Sequence, residues 1–377
     1  VDDAAQRRFL IVAGEPSGDA HAARLVHALR ALGPCRVRGV AGPAMRAAGV
    51  EPVVPMESLA VMGFAEIVAR LPALLGARSR LLSECARFAP HAVALVDYPG
   101  FNLRLGPELK RRGARVFYYI APQVWAWHPE RAAEMARWVD RLAVVFPFEE
   151  EIFRAAGVET RFVGHPLLDS LAPEVDEPTL RSELGAPAGA PLLGLLPGSR
   201  AQEVRLLIEP LCRAAALLRR ERPALTAVVA AASGLDEALV AKAETYGVRV
   251  ARGRTHAIQK HATACAVASG TATLETALFG TPLTVVYRVG RINYAIARRV
   301  ITLSHIGLPN IVAGTEVAPE LVQDALTPER LAASLAPCLD DPRERAARSA
   351  ALGVVRERLG GPGASRRAAE LLWTLAA

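Results

Sequence analysis

The stretch Leu192–Val204 reads LLGLLPGSRAQEV. Its opening run, LLGLL, is apolar without alternation, which suits a strand covered on both faces in a parallel sheet rather than one with a wet face. The strand ends at Pro197, Gly198 permits a tight turn, and Ser199 opens a helix continuing through LLIEPLCRAAALLRRE. A strand that turns directly into a helix leaves the first N–H groups of that helix unpaired at the carboxyl edge of the sheet. Such an end draws anions through its dipole and its free donors. Arg200 adds a planar fork of charged donors matched to phosphate oxygens. Read more plainly, Gly198 and Ser199 are turn chemistry and Arg200 is a solvated side chain.

The pattern recurs. Ala264–Ala268 is a second apolar run, and it passes into Ser269, Gly270 and Thr271 at the head of another helical stretch. Glu275 falls about one turn into that helix, placed to accept hydrogen bonds from a ribose diol. The plainer alternative is a surface carboxylate that favours the helix dipole. Either loop alone is a weak signal; two in one domain, the second backed by a carboxylate, point to a diphosphate grip.

Outward from these turns, strand and helix alternate along most of the chain. Strands are expected at Phe9–Ala13, Val37–Ala41, Ala92–Val96, Val116–Ile120, Leu142–Val145 and Thr160–Val163, then at LLGLL, TAVVAAA, VRVA, CAVA and LTVVY. Proline and acidic residues gather over Ala172–Pro191 and mark a linker. Two consecutive doubly wound α/β domains follow as the expected fold, 1–172 and 173–345, with ligands beyond the carboxyl ends of the strands and a cleft between the domains. Residues 346–377 read as closing helices, and the sequence leaves open whether they pack back on the first domain.

Composition removes several classes. Aromatic residues are only 5% of the chain, too few to line a stacking groove, so no nucleic-acid partner is expected. The net charge of +7 is spread over every helical stretch and selects no partner by itself. Cys35, Cys85, Cys212, Cys265 and Cys338 stand singly, and no histidines sit at H-x-x-x-H spacing, so neither disulfides nor a protein-held metal is expected. No cofactor is called for, since G-x-G-x-x-G is absent after the first strand. No uncharged apolar run reaches the ~18–20 residues of a spanning helix. The charged start, VDDAAQRR, does not read as a signal peptide.

The first half supplies other candidates. GEPSGD follows the first strand, and Glu15, Ser17 and Asp19 lie at the head of the next helix, suited to an acceptor or to capping. In VDYPGFN, Asp97 ends a buried strand at the carboxyl edge, a natural place for a general base, with turn capping as the alternative. Trp125, in YYIAPQVWAWHPER, serves either as a wall for a sugar or acyl chain or as core packing. Within Leu59–Leu82, Met62, Phe64, Ile67, Val68, Leu71 and Leu75 form a greasy surface edged by Arg70, Arg78 and Arg80. This reads either as an interfacial segment on anionic lipid or as a core helix.

Taken in order, GEPSGD, MGFAEI, DYPGFN, YYIAPQVWAW, FPFEEE, VGHPLLD, LPGSR, ASGTATLE, LPNIVA and PELVQ closely resemble the lipid-A-disaccharide synthase family of inverting glycosyltransferases. The resemblance runs to about Gln323. It implies a GT-B fold, two Rossmann-like domains facing across a cleft, the first for the acceptor and the second for the UDP-sugar. It further implies joining of UDP-2,3-diacylglucosamine to 2,3-diacylglucosamine 1-phosphate (lipid X) with inversion, and peripheral attachment to the cytoplasmic face of the inner membrane, with self-association left open. Residue by residue, Asp97 resembles the family's base, Ser199 and Arg200 its diphosphate contacts, and Ser269, Gly270, Thr271 and Glu275 its nucleotide loop. By the same likeness, Asn310 and Gln323 are expected as further nucleotide contacts.

Overall fold

The computed structural model describes residues 6–59, 64–232, 234–290, 294 and 304–377, without the side chains of 64–71 and 127. The chain divides into two compact units. One runs to Asp169 and takes back Gly361–Ala377, and the other is Ser170–Gly360.

The first unit is built on a seven-stranded sheet. Its strands are β1 (Arg7–Ala13), β2 (Cys35–Ala41), β3 (Glu51–Pro55), β4 (Ala92–Val96), β5 (Val116–Tyr119), β6 (Arg141–Val144) and β7 (Thr160–Phe162), in the order β3-β2-β1-β4-β5-β6-β7. The second has six: β8 (Leu192–Leu196), β9 (Thr226–Ala231), β10 (Arg249–Arg252), β11 (Ala264–Ala268), β12 (Leu283–Tyr287) and β13 (Glu320–Val322), ordered β10-β9-β8-β11-β12-β13. Each sheet starts in the middle, winds to one edge, then returns and winds to the other. The switch points therefore fall between β1 and β4 and between β8 and β11, which pair in parallel. Crossovers leave on opposite faces there, opening a crevice at the carboxyl ends where such sheets bind ligands.

Burial explains the apolar runs: every residue of β4, β8 and β11 is buried. Gly194, the odd member of LLGLL, is small for a reason, since a Cβ there would lie 2.7 Å from Cys265 Sγ and 2.9 Å from Ile258. Two strands lay outside the expected set, β3 (EPVVP) and β13 (ELV). Both are sheet edges, where proline and charge are tolerated and the continuous apolar signal is lost.

The closing segment differs from the expected 346–377. Helices Pro342–Ala351 and Gly353–Arg358 stay with the second unit, held by Ser349 Oγ donating to Gly280 O (2.6 Å), Arg356 to Leu278 O (2.6 Å) and Arg358 to Val312 O (3.1 Å). Only helix Ala364–Leu375 packs on the first unit, mainly against helix Pro16–Leu32. Its last carbonyls accept from Arg7, from Arg115 (Leu375 O, 2.8 Å) and from Arg141 (Leu371 O, 3.0 Å). The carbonyls of Trp373 and Leu375 are ones that a helix end leaves unpaired, and all three guanidinium groups lie on the side where the dipole favours cations.

Candidate active site

In the second unit, Leu196 and Val267 are neighbours across β8 and β11, so the two turns predicted separately emerge side by side. Gly198 turns the first with φ 102° and Gly270 the second with φ 146°, a region that side chains avoid. Helices Ala201–Glu221 and Thr271–Leu278 start immediately beyond them. Gly198, Ser199, Arg200, Ser269, Gly270 and Thr271, with Thr255, line one pocket of about 280 Å³. Arg200 is 82% exposed and, among the described residues, held only by Glu203 at 2.8 Å in its own helix's first turn, so its guanidinium can swing onto an anion. Ser269 is less free, because its hydroxyl donates to Ile306 O at 2.9 Å.

Glu275 is half-buried behind the second turn, and its Oε2 accepts from Gln259 Nε2 at 3.2 Å. His256 Nε2 lies 3.7 Å from the same oxygen. Gln259 and His256 escaped the sequence reading because they sit on helix Thr255–His261, remote in sequence from Glu275, and nothing in THAIQKH announces the pairing.

Asn310 departs from its expected role as a nucleotide contact. It is fully buried, its amide donates to Ala318 O and Glu320 Oε1 (both 2.7 Å), and its oxygen accepts from the N–H groups of Val317 (2.8 Å) and Ala318 (2.9 Å). Those four bonds use its whole capacity, so it shapes the turn before β13 instead. Gln323, at φ 52°, likewise grips backbone: Oε1 accepts from Val289 N (3.2 Å) and Nε2 donates to Val289 O (3.0 Å). Glu320, in the same PELVQ string, accepts from the N–H groups of Ile306 and Gly307 (both 2.9 Å) and so holds the head of helix Leu308–Ala313.

In the first unit, Ala13 and Val96 pair across β1 and β4, bringing GEPSGD and Asp97 to adjacent strand ends. Asp97 and Tyr98 are both left-handed, at φ 49° and 48°, a costly pair for residues with side chains. The surroundings enforce it. Asp97 N donates to Tyr119 O (2.9 Å), and its carbonyl accepts from Tyr118 Oη (2.8 Å) and Asn102 Nδ2 (2.7 Å). Gly14 lets the Tyr98 ring lie against the backbone, since any Cβ would come within 2.2 Å of it. With its backbone held this way, the Asp97 carboxyl is pushed up to about 6, first by burial and then by the nearby charge of Glu15.

Glu15 and Ser17 are exposed at the head of helix Pro16–Leu32. Asp19 departs from the acceptor-side expectation. Only 3% exposed, it accepts from Gly42 N (2.8 Å), Ala44 N (2.8 Å) and Met45 N (3.2 Å), capping helix Pro43–Ala47. Trp125 is half-buried; its indole donates to Glu149 Oε1 at 3.0 Å and its ring meets Phe148 edge-on at 5.1 Å. Burial pushes Glu149 up to about 7. Trp125 is thus held in place, packed and partly open at once.

Of the greasy segment, Met62 lies outside the described residues, as do the side chains of Phe64, Ile67, Val68 and Leu71. Helix Phe64–Phe88 contains Pro72, and Leu75 is 52% exposed while Leu81 is buried in the core. One helix therefore has a packed end and, at Leu75, an apolar residue turned to solvent. Arg78 is no free cation for a membrane rim, because it pairs with Glu108.

Two doubly wound parallel units, the second with a pocket of about 280 Å³ at its switch point, define a GT-B protein. Solved structures agree with this fold: UDP-GlcNAc 2-epimerase from Neisseria meningitidis (TM-score 0.66, 11% identity, 97% of this chain and 100% of that one) and MurG from Acinetobacter baumannii (TM-score 0.58, 17% identity, 98% and 99%). Among curated relatives, lipid-A-disaccharide synthases of Anaeromyxobacter dehalogenans (strain 2CP-C) and Syntrophus aciditrophicus (strain SB) are 43% and 44% identical, covering 96% and 97% of both chains. The family model for lipid-A-disaccharide synthetase matches residues 9–370. The chain belongs to that family of glycosyltransferases.

Proposed function

We propose that the protein joins UDP-2,3-diacylglucosamine to lipid X, inverting the anomeric centre and releasing UDP. The observation that carries the donor half is the pocket where Arg200 and two helix N-termini converge. Asp97 takes the proton from the acceptor's 6-hydroxyl as that oxygen attacks the anomeric carbon. The bond to the diphosphate breaks on the opposite face, and its growing charge is met by Arg200, Ser199, Ser269, Gly270 and Thr271. Glu275 receives the ribose hydroxyls. Glu15 and Ser17 edge the acceptor side, with Trp125 as its apolar wall.

Acylated substrates suit a peripheral enzyme on the anionic cytoplasmic face of the inner membrane, docked through Leu59–Leu82. The solvent-facing Leu75 supports that docking, and among the described residues no helix is long and apolar enough to cross. The test is to incubate the purified protein with UDP-diacylglucosamine, with and without lipid X, and follow UDP. Release only when both are present is expected. Release, or interconversion of the sugar, without lipid X sinks the transferase reading.

A further inference from the structure

His256 makes contacts in two directions. Its Nδ1 is 3.1 Å from the carbonyl oxygen of Ala172, and since a carbonyl only accepts, Nδ1 carries a proton. Its Nε2 is 3.7 Å from Glu275 Oε2. A neutral ring protonated on Nδ1 would aim the Nε2 lone pair at a carboxylate; only the imidazolium makes that contact attractive. The ring's pKa is accordingly raised above the ordinary histidine value, chiefly by Glu275, with burial opposing.

The neighbouring charges favour the cation. Glu174 accepts from the backbone N–H groups of His256 (3.1 Å) and Ala257 (2.7 Å), adding a second carboxylate beside the ring. On helix Glu177–Leu184, which packs on the same helix, Glu183 is bound by Arg254 at 2.7 and 2.8 Å, so each neutralises the other. Ala172 and Glu174 belong to the segment just beyond the passage from one unit to the other at Asp169. At Glu275, the contacts of Gln259 and His256 both fall on Oε2, and among the described residues no donor meets Oε1.

We propose that His256 is a positioning residue for the donor: as imidazolium it holds Oε2 of Glu275 so that Oε1 faces the ribose, and it ties that carboxylate to the linker at Ala172–Glu174. This rests on the reading of Glu275 as the ribose contact. The tie is present while His256 is protonated and is lost as pH rises through its raised pKa.

The test is calorimetric binding of UDP to the full chain at about pH 6 and about pH 9. The proteins compared are wild type, His256→Gln, Glu275→Gln and the double variant. At the lower pH, His256→Gln binds about fivefold more weakly than wild type, and the gap closes at the higher pH. Glu275→Gln is weaker at both, and adding His256→Gln to it costs nothing more. His256→Lys, which keeps a cation at both pH values, restores part of the affinity at the lower pH and binds more tightly than wild type at the higher; a purely structural role would give neither result. If Glu275→Gln binds UDP like wild type, the ribose reading falls and takes the proposal with it. If Glu275→Gln is weak but His256→Gln matches wild type, or the two losses add in full, the ribose reading stands and the tie is overturned.

Discussion

On the reading proposed above, Asp97 is a carboxylate whose surroundings suit it to base chemistry. Burial and the neighbouring Glu15 raise it to about 6, still ionised near neutrality yet basic enough to take a proton. Below about 6 the carboxyl already carries a proton and can no longer take one from the acceptor hydroxyl, so turnover rises with pH through that point. The expected kcat/KM profile has an acid limb near 6, and Asp97→Asn loses on the order of 10²–10⁴ in kcat with a normal melting curve. A profile flat from about pH 5 upward would remove Asp97 as the base. Its position was legible in sequence because it ends an unbroken apolar run. Asn310 and Gln323 were not, since whether an amide faces a ligand or its own backbone depends on loop neighbours that no local pattern encodes.

Among the elements, the two strand-to-helix turns of the second unit were readable from local pattern alone: apolar run, glycine, small polar residue, helix. That they serve one ligand was expected, but their lining of one pocket rests on β8 pairing directly with β11, although β9 and β10 lie between them in the chain. The head of helix Pro16–Leu32 teaches the opposite lesson. GEPSGD holds three polar side chains, but Asp19 turns inward to cap a second, short helix while Glu15 and Ser17 stay exposed. Asp19→Ala should therefore cost about 1–2 kcal/mol of stability, the usual range for a lost cap, with KM for lipid X unchanged in the folded fraction. Urea unfolding and steady-state kinetics on one preparation separate the two. A raised KM at unaltered stability would return Asp19 to the acceptor site.

For the whole molecule, the first unit closes only when the chain's final helix comes back to it. Leu372 is fully buried there, alongside Ala364, Ala368 and Ala369. Leu372→Ala should destabilise by about 2–5 kcal/mol, read from urea unfolding, as for other large-to-small core changes. The loss should fall on the first unit, leaving UDP binding by the second near wild type. Equal loss of UDP binding would show that the two units do not unfold separately. Closing helices were expected, but the return of Gly361–Ala377 alone to the first unit was not legible. Residues 346–360 stay with the second unit because Leu352, Val355 and Leu359 are buried there and three side-chain bonds reach carbonyls distant in the chain.

Sequence by itself determined the alternation of buried strands with helices, the division into two α/β halves, the anion-suited turns, the carboxylate at the end of β4 and the family. These rest on short-range periodicity and on ordered strings, which need no partner to be read. Only the tertiary structure decided which polar groups are spent on the fold. Asp19, Asn310 and Gln323 are taken up by backbone, Arg78 by Glu108, while Arg200 stays exposed and Glu275 is shared with Gln259 and His256. The reason is physical: a polar side chain's role is fixed by which donors and acceptors stand within about 3 Å of it, and those come from strands and helices far away along the chain.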